Sequence, residues 1–195
     1  MQFIESINPE KIEELELVSF DGPVELITNE GPEFDRAIEE LSNCRMLGFD
    51  TETKPIFQHH APRHGTALLQ LSSSNKSWLF RLHTLGLPQP LADILSDKHI
   101  TKIGAAVLDD IRGLQRYNDF EPGRFIDLQS FVEDYGIKDK SVKKLTAIIL
   151  GKRISKAQQC SNWEAATLND AQISYAATDA WICLKMYREL LTSRR

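Results

Sequence analysis

Four carboxylates and one phenol in this sequence could together carry metal-dependent chemistry. Asp50 and Glu52 end the apolar run Met46 to Phe49, which is typical of a buried strand, and residues two apart on a strand share a face. Tyr175 and Asp179 are four residues apart in a helical stretch, which places the phenol one turn from the carboxylate. Clustered carboxylates repel one another unless cations neutralise them, and hard oxygen ligands suit Mg²⁺ or Mn²⁺. The arrangement predicts hydrolysis of a phosphodiester bond by two metal ions.

The remaining carboxylate must be chosen between two neighbours, Asp109 and Asp110. On a helix through this segment, Asp109 projects away from the apolar face formed by Val107, Leu108, Ile111 and Leu114. Asp110 lies at the margin of that face, where a side chain can reach a cleft beside the core. We therefore expect Asp109 to be a surface residue. The predicted metal ligands are Asp50, Glu52, Asp110 and Asp179.

The elements that position these residues alternate along the chain. Hydrophobic periodicity and turn residues predict strands at Val24 to Thr28, Met46 to Glu52, Ala67 to Ser72, Ser77 to Phe80, Lys102 to Gly104 and Phe125 to Asp127. They predict helices at Asn8 to Leu17, Pro32 to Leu41, Pro90 to Ser96, Val107 to Tyr117 and through most of the last third. Such a pattern favours an α/β fold with a mixed sheet flanked by helices.

The closing helix has the clearest sequence signals. Asn169 and Gln172 form a capping-box-like pair at its start. A continuous apolar stripe follows, made of Ile173, Ala176, Ala177, Ala180, Leu184, Tyr187 and Leu191. Tyr175 and Asp179 lie beside this stripe and, taken alone, would be an ordinary boundary tyrosine and a surface aspartate. They are interpreted as functional only because the other carboxylates are expected in the same pocket.

Length and composition set limits on organisation. A chain of 195 residues with 42% hydrophobic content suits one domain, so we expect an acidic segment at residues 1–22 followed by a single catalytic domain at 23–195. The cysteines at positions 44, 160 and 183 form no CxxC pair, which indicates a reducing compartment rather than a disulfide framework. Without a basic leader or a run of transmembrane length, the protein is expected to be cytoplasmic, with no membrane partner.

Charge is unevenly distributed along the chain. The net charge is −5, but residues 138–156 carry seven basic side chains against one acid, whereas the first 22 residues carry six acids against one lysine. This basic run precedes the closing helix, so it could bind a phosphate backbone; a solvated surface is the alternative. The predicted nucleic-acid contacts are Lys143, Lys144, Lys156 and Gln159, with Trp163 placed in the core.

Three segments carry a family resemblance. Leu47-Gly-Phe-Asp-Thr-Glu-Thr53, Lys102-Ile-Gly-(x)5-Asp110 and Tyr175-Ala-Ala-Thr-Asp-Ala180 resemble the three exonuclease motifs of the DEDDy 3′–5′ exonucleases. Within that group the chain is most similar to the ribonuclease D and Werner-exonuclease branch, in its compact stand-alone bacterial form. The segment Ser155 to Trp163 resembles the stretch that leads into the third motif, and the match runs from about Glu25 to Leu191.

The resemblance implies a ribonuclease H-like fold, with a central five-stranded mixed sheet and helices on both sides. It implies that Tyr175 orients the attacking water and that the four carboxylates bind two Mg²⁺ or Mn²⁺ ions. The implied activity is removal of nucleoside 5′-monophosphates from the 3′ end of DNA or RNA. Processing of RNA 3′ ends and hydrolysis of small nucleotides stay open as alternatives. Binding of nucleic acid without cleavage is disfavoured, because every expected metal ligand is present.

A loop follows the first motif and contains a small histidine cluster, His59, His60 and His64. These residues are expected to be polar loop residues, with contact to substrate as the alternative. Ile56 or Phe57 could pack against a terminal base, but apolar side chains near a strand end are more often core. A soft metal site is disfavoured, because no cysteine lies near in sequence.

Overall fold

The computed structural model of the protein describes residues 3–55 and 65–193. Within these ranges six strands form one mixed sheet: β1 Val24–Ile27, β2 Met46–Thr53, β3 Thr66–Ser72, β4 Ser77–Arg81, β5 Thr101–Gly104 and β6 Phe125–Asp127. Their order is β1-β4-β3-β2-β5-β6, with β3 antiparallel to both neighbours and the other pairs parallel. The expected α/β sheet is confirmed.

The strand count implied by the resemblance needs a correction, since the part of the chain that the structure describes has six strands rather than five. Both outer strands are short: β1 has four residues and pairs with β4, and β6 has three and pairs with β5. An edge strand needs only one partner, so a short segment can extend a sheet that longer strands have already formed.

Helices cover both faces of the sheet. They are α1 Pro9–Glu13, α2 Pro32–Ser42, α3 Leu82–Leu85, α4 Gln89–Ser96, α5 Val107–Leu114, α6 Leu128–Phe131, α7 Val142–Leu150 and α8 Asp170–Ser193, with a 3₁₀ helix at Val132–Tyr135. Helices α2, α4 and α5 pack in one hydrophobic cluster with the sheet, whereas α6, α7 and α8 belong to another. Across residues 3–55 and 65–193, no helix has the length and apolar character needed to cross a membrane.

Strand β2 presents different side chains to these two layers. Leu47 and Phe49 pack with the α5 side of the core, so by strand alternation Gly48, Asp50 and Glu52 face α8. A Cβ atom on Gly48 would lie 1.9 Å from the carbonyl oxygen of Ala180. Glycine at this position therefore allows α8 to lie directly on β2, two residues before Asp50.

Helix α5 shows one difference from the predicted burial pattern. Val107, Ile111 and Leu114 are buried, as expected, but Leu108 is 57% exposed. Spacings of four and three residues keep the buried three on one stripe, whereas Leu108 is rotated about 100° from Val107. The sheet contacts only that narrow stripe, so Leu108 is left in solvent.

Residues 3–22, called here the N-terminal strap, pack in the same layer as helices α7 and α8. Ile12 and Phe20 of the strap are buried. The Phe20 amide donates to Thr178 Oγ1 over 3.0 Å, and Leu17 forms an isolated parallel bridge with Arg153. The strap is therefore anchored by apolar side chains and by backbone hydrogen bonds.

Candidate active site

Three of the predicted carboxylates meet at the end of strand β2. One carboxylate oxygen from each of Asp50, Glu52 and Asp179 lies within 4.8 Å of the others. Strand alternation aims the first two at α8, and the close approach at Gly48 brings Asp179 to them. Asp179 is only 3% exposed, whereas Asp50 and Glu52 are half-buried. The cluster is thus reachable from solvent on the β2 side.

Asp110 approaches from the other side of the sheet. Thr51 Oγ1 donates to Asp110 Oδ1 over 2.5 Å, and Asp110 lies outside the three-carboxylate cluster. Helix α5 begins after Ala106, whose φ of 58° is left-handed and whose amide donates to Asp127 Oδ1. Asp109 points into solvent, with a side chain 91% exposed. The charge of Asp110 raises the pKa of Asp50, so the two carboxylates lie near each other, and the role of Asp110 as a fourth ligand stays a prediction.

Tyr175 lies one turn before Asp179 on α8 and is 6% exposed. Its ring packs against Trp163, which is fully buried, with ring centroids 5.9 Å apart. The ammonium of Lys156 lies 5.4 Å from the centre of the tyrosine ring and 3.5 Å from its hydroxyl. The phenol is therefore held in one orientation, with its hydroxyl beside the carboxylates.

Lys156 also forms an ion pair inside the site. Its Nζ lies 3.0 Å and 3.3 Å from the two carboxylate oxygens of Asp179. The lysine side chain is 28% exposed and that of Asp179 is 4% exposed. The sequence predicts that Lys156 contacts the phosphate backbone of a nucleic acid; the structure places its charge beside Asp179.

The carboxylates strongly affect one another's ionisation. Burial, followed by the charges of Asp179 and Asp110, raises the pKa of Asp50 well above its usual range. Burial and the Asp50 charge raise the pKa of Glu52 to about 9. Burial raises the pKa of Asp110 to about 6, although the hydrogen bond from Thr51 opposes this. Burial also raises the pKa of Asp179, despite its ion pair with Lys156. The site is therefore one that bound cations would stabilise.

The donor set fits hard divalent cations. All its ligand atoms are carboxylate oxygens, the type that Mg²⁺ and Mn²⁺ prefer. Gln70 is a further polar side chain beside these ligands. It is fully buried, and it pairs in register with Asp50 across β2 and β3. Neither polar atom of its amide has a hydrogen-bond partner. The sequence gives no signal for this residue beyond a polar side chain within an apolar strand.

Raised carboxylate pKa values predict how pH affects the stability of the metal-free protein. Between about pH 4.5 and 9, Glu52 keeps its proton in the folded state and loses it in the unfolded state. Stability is therefore highest below this window and falls as pH rises through it. We expect the metal-free Tm to drop between pH 5 and 9, by about 2–4 °C for each kcal/mol lost. Adding Mg²⁺ at pH 8 is expected to restore it.

Differential scanning fluorimetry at several pH values measures this effect. Glu52→Gln should flatten the pH dependence and raise the metal-free Tm at pH 8, because glutamine is neutral in both states and folding no longer requires a carboxylate to take up a proton. Asp109→Asn serves as the control, because it changes an exposed carboxylate that points away from the cluster. A wild-type Tm that is independent of pH, or Glu52→Gln behaviour matching the control, would contradict the electrostatic account.

The structure separates the other predicted contacts from the carboxylates. Lys143 pairs with Glu13 over 2.5 Å and Lys144 pairs with Asp139 over 2.7 Å. Gln159 is exposed in the segment that leads to α8. Their role in binding nucleic acid stays a prediction. His59, His60 and His64, together with Ile56 and Phe57, lie outside the described residues.

The chain is similar in sequence to known proteins. A family described as 3'-5' exonuclease matches residues 26–193. The chain is 34% identical over 176 residues to "Exonuclease 3'-5' domain-containing protein 2" of Drosophila melanogaster, covering 86% of this chain and 30% of that protein. It is 34% identical over 162 residues to "Bifunctional 3'-5' exonuclease/ATP-dependent helicase WRN" of Mus musculus, covering 77% and 11%. It thus spans less than a third of the length of these relatives.

A solved structure supports the fold. Escherichia coli RNase D, described as an exoribonuclease involved in structured RNA processing, superposes with a TM-score of 0.75 at 23% identity. The match covers 88% of this chain and 46% of that one. The ribonuclease H-like fold implied by the sequence motifs is confirmed. Together with the family match over residues 26–193, these similarities show that the chain belongs to the 3′–5′ exonuclease family.

Proposed function

We propose that this protein hydrolyses the terminal phosphodiester bond at the 3′ end of a nucleic acid strand and releases nucleoside 5′-monophosphates. The observation that carries this proposal is the convergence of Asp50, Glu52 and Asp179 within 4.8 Å, with Tyr175 one turn away. Family membership supplies the direction of cleavage as an expectation. In this proposal the protein requires Mg²⁺ or Mn²⁺.

The position of each residue in the site determines its proposed role. Asp50, Glu52 and Asp179 would hold the cations, with Asp110 completing the set from the α5 side. Two bound cations would neutralise the phosphate and favour a hydroxide-like nucleophile. Burial, and then the charge of Asp179, raise the pKa of Tyr175, so its hydroxyl stays protonated. Tyr175 therefore acts as a hydrogen-bond partner that orients water, not as a base.

Lys156 is suited to contact the substrate at the same place. Its ammonium is held between Asp179 and the Tyr175 hydroxyl, at the surface of the site. A cation in this position can pair with a phosphate oxygen once bound metal ions satisfy Asp179. This supports the predicted nucleic-acid contact at Lys156, but at the reacting end of the strand rather than along the basic run.

A direct assay tests the proposal and its alternatives. Matched DNA and RNA oligonucleotides are labelled at the 5′ end and incubated with Mg²⁺, with Mn²⁺ and with EDTA. We expect a ladder of products that shortens from the 3′ end, nucleoside 5′-monophosphates as the released species, and no reaction in EDTA. The DNA and RNA arms separate a DNA exonuclease from an RNA 3′-end processing enzyme.

Two outcomes would contradict the proposal. Undiminished cleavage in chelator would exclude the metal-dependent mechanism. Hydrolysis confined to free nucleotides, with intact oligonucleotides, would identify a small-nucleotide phosphohydrolase. A 5′-blocked substrate with a 3′-phosphate serves as the control, because an exonuclease that needs a free 3′ hydroxyl should act poorly on it.

A further inference from the structure

A polar groove opens beside Asp110, on the side of the site away from α8. It lies between the end of β2 and helix α5, and the side chains that line it are those of Thr51, Thr53, Thr66, Asp109, Asp110, Arg112 and Arg116. Its volume is about 500 Å³. Asp110 and Thr51 belong to both the groove and the carboxylate site, since they are hydrogen-bonded to each other. The groove is therefore continuous with the place where the proposed chemistry occurs.

A glycine shapes the floor of this groove. A Cβ atom on Gly113 would lie 2.5 Å from Thr66 Oγ1, so the absence of a side chain lets α5 approach strand β3 closely. Tyr117, which follows on the chain, donates its hydroxyl hydrogen to the Thr66 carbonyl over 2.7 Å. These contacts fix α5 against the sheet. They therefore hold one side of the groove, formed by α5, in a fixed position.

Two arginines supply positive charge along the groove. Arg112 lies on α5 and Arg116 lies in the turn that follows it, and both line the groove. Arg112 pairs with Asp109 over 3.2 Å, but both side chains are well exposed, at 64% and 91%. An exposed pair of this kind contributes little to stability and exchanges readily for another anion. Guanidinium groups and threonine hydroxyls are common ligands of phosphate oxygens.

The basic run at residues 138–156 is arranged differently. Its lysines pair with acids, several of them on the N-terminal strap: Lys138 with Glu5, Lys140 with Glu133, Lys143 with Glu13, Lys144 with Asp139 and Lys152 with Glu16. A strand that bound there would have to displace a row of carboxylates. In the groove beside Asp110, a bound phosphate would displace one carboxylate, that of Asp109, from Arg112.

We propose that this groove binds the backbone phosphates of the nucleic acid strand next to the scissile bond, with Arg112 and Arg116 as their ligands. The inference rests on the proposed exonuclease function. In this proposal the nucleic acid strand runs over α5. The basic run at residues 138–156 does not bind it, because acidic residues of the N-terminal strap neutralise much of its charge.

Steady-state kinetics on a single-stranded 20-mer tests the assignment. For Arg112→Ala and for Arg116→Ala we expect kcat/KM to fall about tenfold each, the size of one charge-assisted hydrogen bond, mainly through a higher KM. The slope of log kcat/KM against log salt should become shallower by about 0.7 for each arginine. The loss on a dinucleotide, which has no second phosphate to bind, should be smaller than on the 20-mer.

Matched variants separate the possible outcomes. Arg36→Ala removes an arginine of similar exposure that pairs with Glu25, and it should leave KM and the salt slope unchanged. Lys143→Ala/Lys144→Ala tests the basic run. Unchanged KM and slope for both arginine variants, or a change only in the lysine variant, would overturn the inference while the wild type still cleaves. A wild type that cleaves no oligonucleotide would instead overturn the proposed function.

Discussion

Replacing Asp50 or Asp179 by asparagine is expected to abolish hydrolysis while leaving the fold intact. Each substitution removes a carboxylate from a cluster whose ligand oxygens lie within 4.8 Å of one another. Bound cations contribute several kcal/mol to this type of reaction, and each 1.4 kcal/mol is about a tenfold change in rate. We therefore expect a loss of about 10³-fold or more in single-turnover rate at saturating Mg²⁺.

Stability distinguishes this loss from misfolding. Burial raises the pKa values of both aspartates, and the charges of Asp179 and Asp110 raise that of Asp50 further, so the metal-free cluster destabilises the folded state near neutral pH. Asparagine at either position is neutral and avoids this cost, and the metal-free Tm should rise or stay the same. Residual activity within tenfold of wild type would remove the residue from the metal-binding set.

Asp109 and Asp110 provide the internal control for the same experiment. Asp109→Asn should be nearly silent, since its side chain is 91% exposed, whereas Asp110→Asn removes the negative charge of a proposed metal ligand and should impair turnover. An inactive Asp109 variant beside an active Asp110 variant would move the fourth ligand to Asp109.

The second large effect is expected from Tyr175→Phe. The substitution keeps the ring that packs against Trp163 and removes only the hydroxyl beside Lys156 and Asp179. Turnover should fall about 10²-fold, a typical loss for a group that positions water or a proton. Metal affinity should change little, because the four carboxylates are retained.

Calorimetric titration with Mn²⁺, run beside single-turnover cleavage, measures the two quantities separately. Tyr187→Phe is the matched control, because it makes the same change on the same helix, where the ring packs against Phe131 instead of the site. Equal loss of metal affinity and turnover in Tyr175→Phe would give the hydroxyl a structural role. An unchanged rate would exclude it from the mechanism.

Local patterns in the sequence were sufficient for much of the site. The two-residue spacing of Asp50 and Glu52 on a strand places both on one face, and the four-residue spacing of Tyr175 and Asp179 on a helix stacks them. The reciprocal hydrogen bonds of Asn169 and Gln172 begin α8 as the capping pattern predicts. These features depend on neighbours a few residues away, so strand and helix geometry alone determines them.

Tertiary structure decided which charged side chains are available for binding. The sequence shows a basic run, but only the folded chain brings Glu5, Glu13 and Glu16 of the strap across more than 100 residues to its lysines. The same long-range packing turns Lys156 towards Asp179. Charge at a surface depends on partners distant in sequence, and no local periodicity encodes them.

The residues around the carboxylates show the same contrast between what the sequence indicates and what the fold determines. The sequence shows Gln70, Gly48 and Gly113 only as isolated exceptions within apolar or helical segments. In the fold, Gln70 lies in register with Asp50, Gly48 admits the Ala180 backbone of α8, and Gly113 admits the Thr66 side chain. Sequence by itself determined the ligand types and the elements that carry them. Only packing of α5 and α8 on opposite faces of β2 decided how those ligands meet, because the distance between two elements depends on every side chain between them.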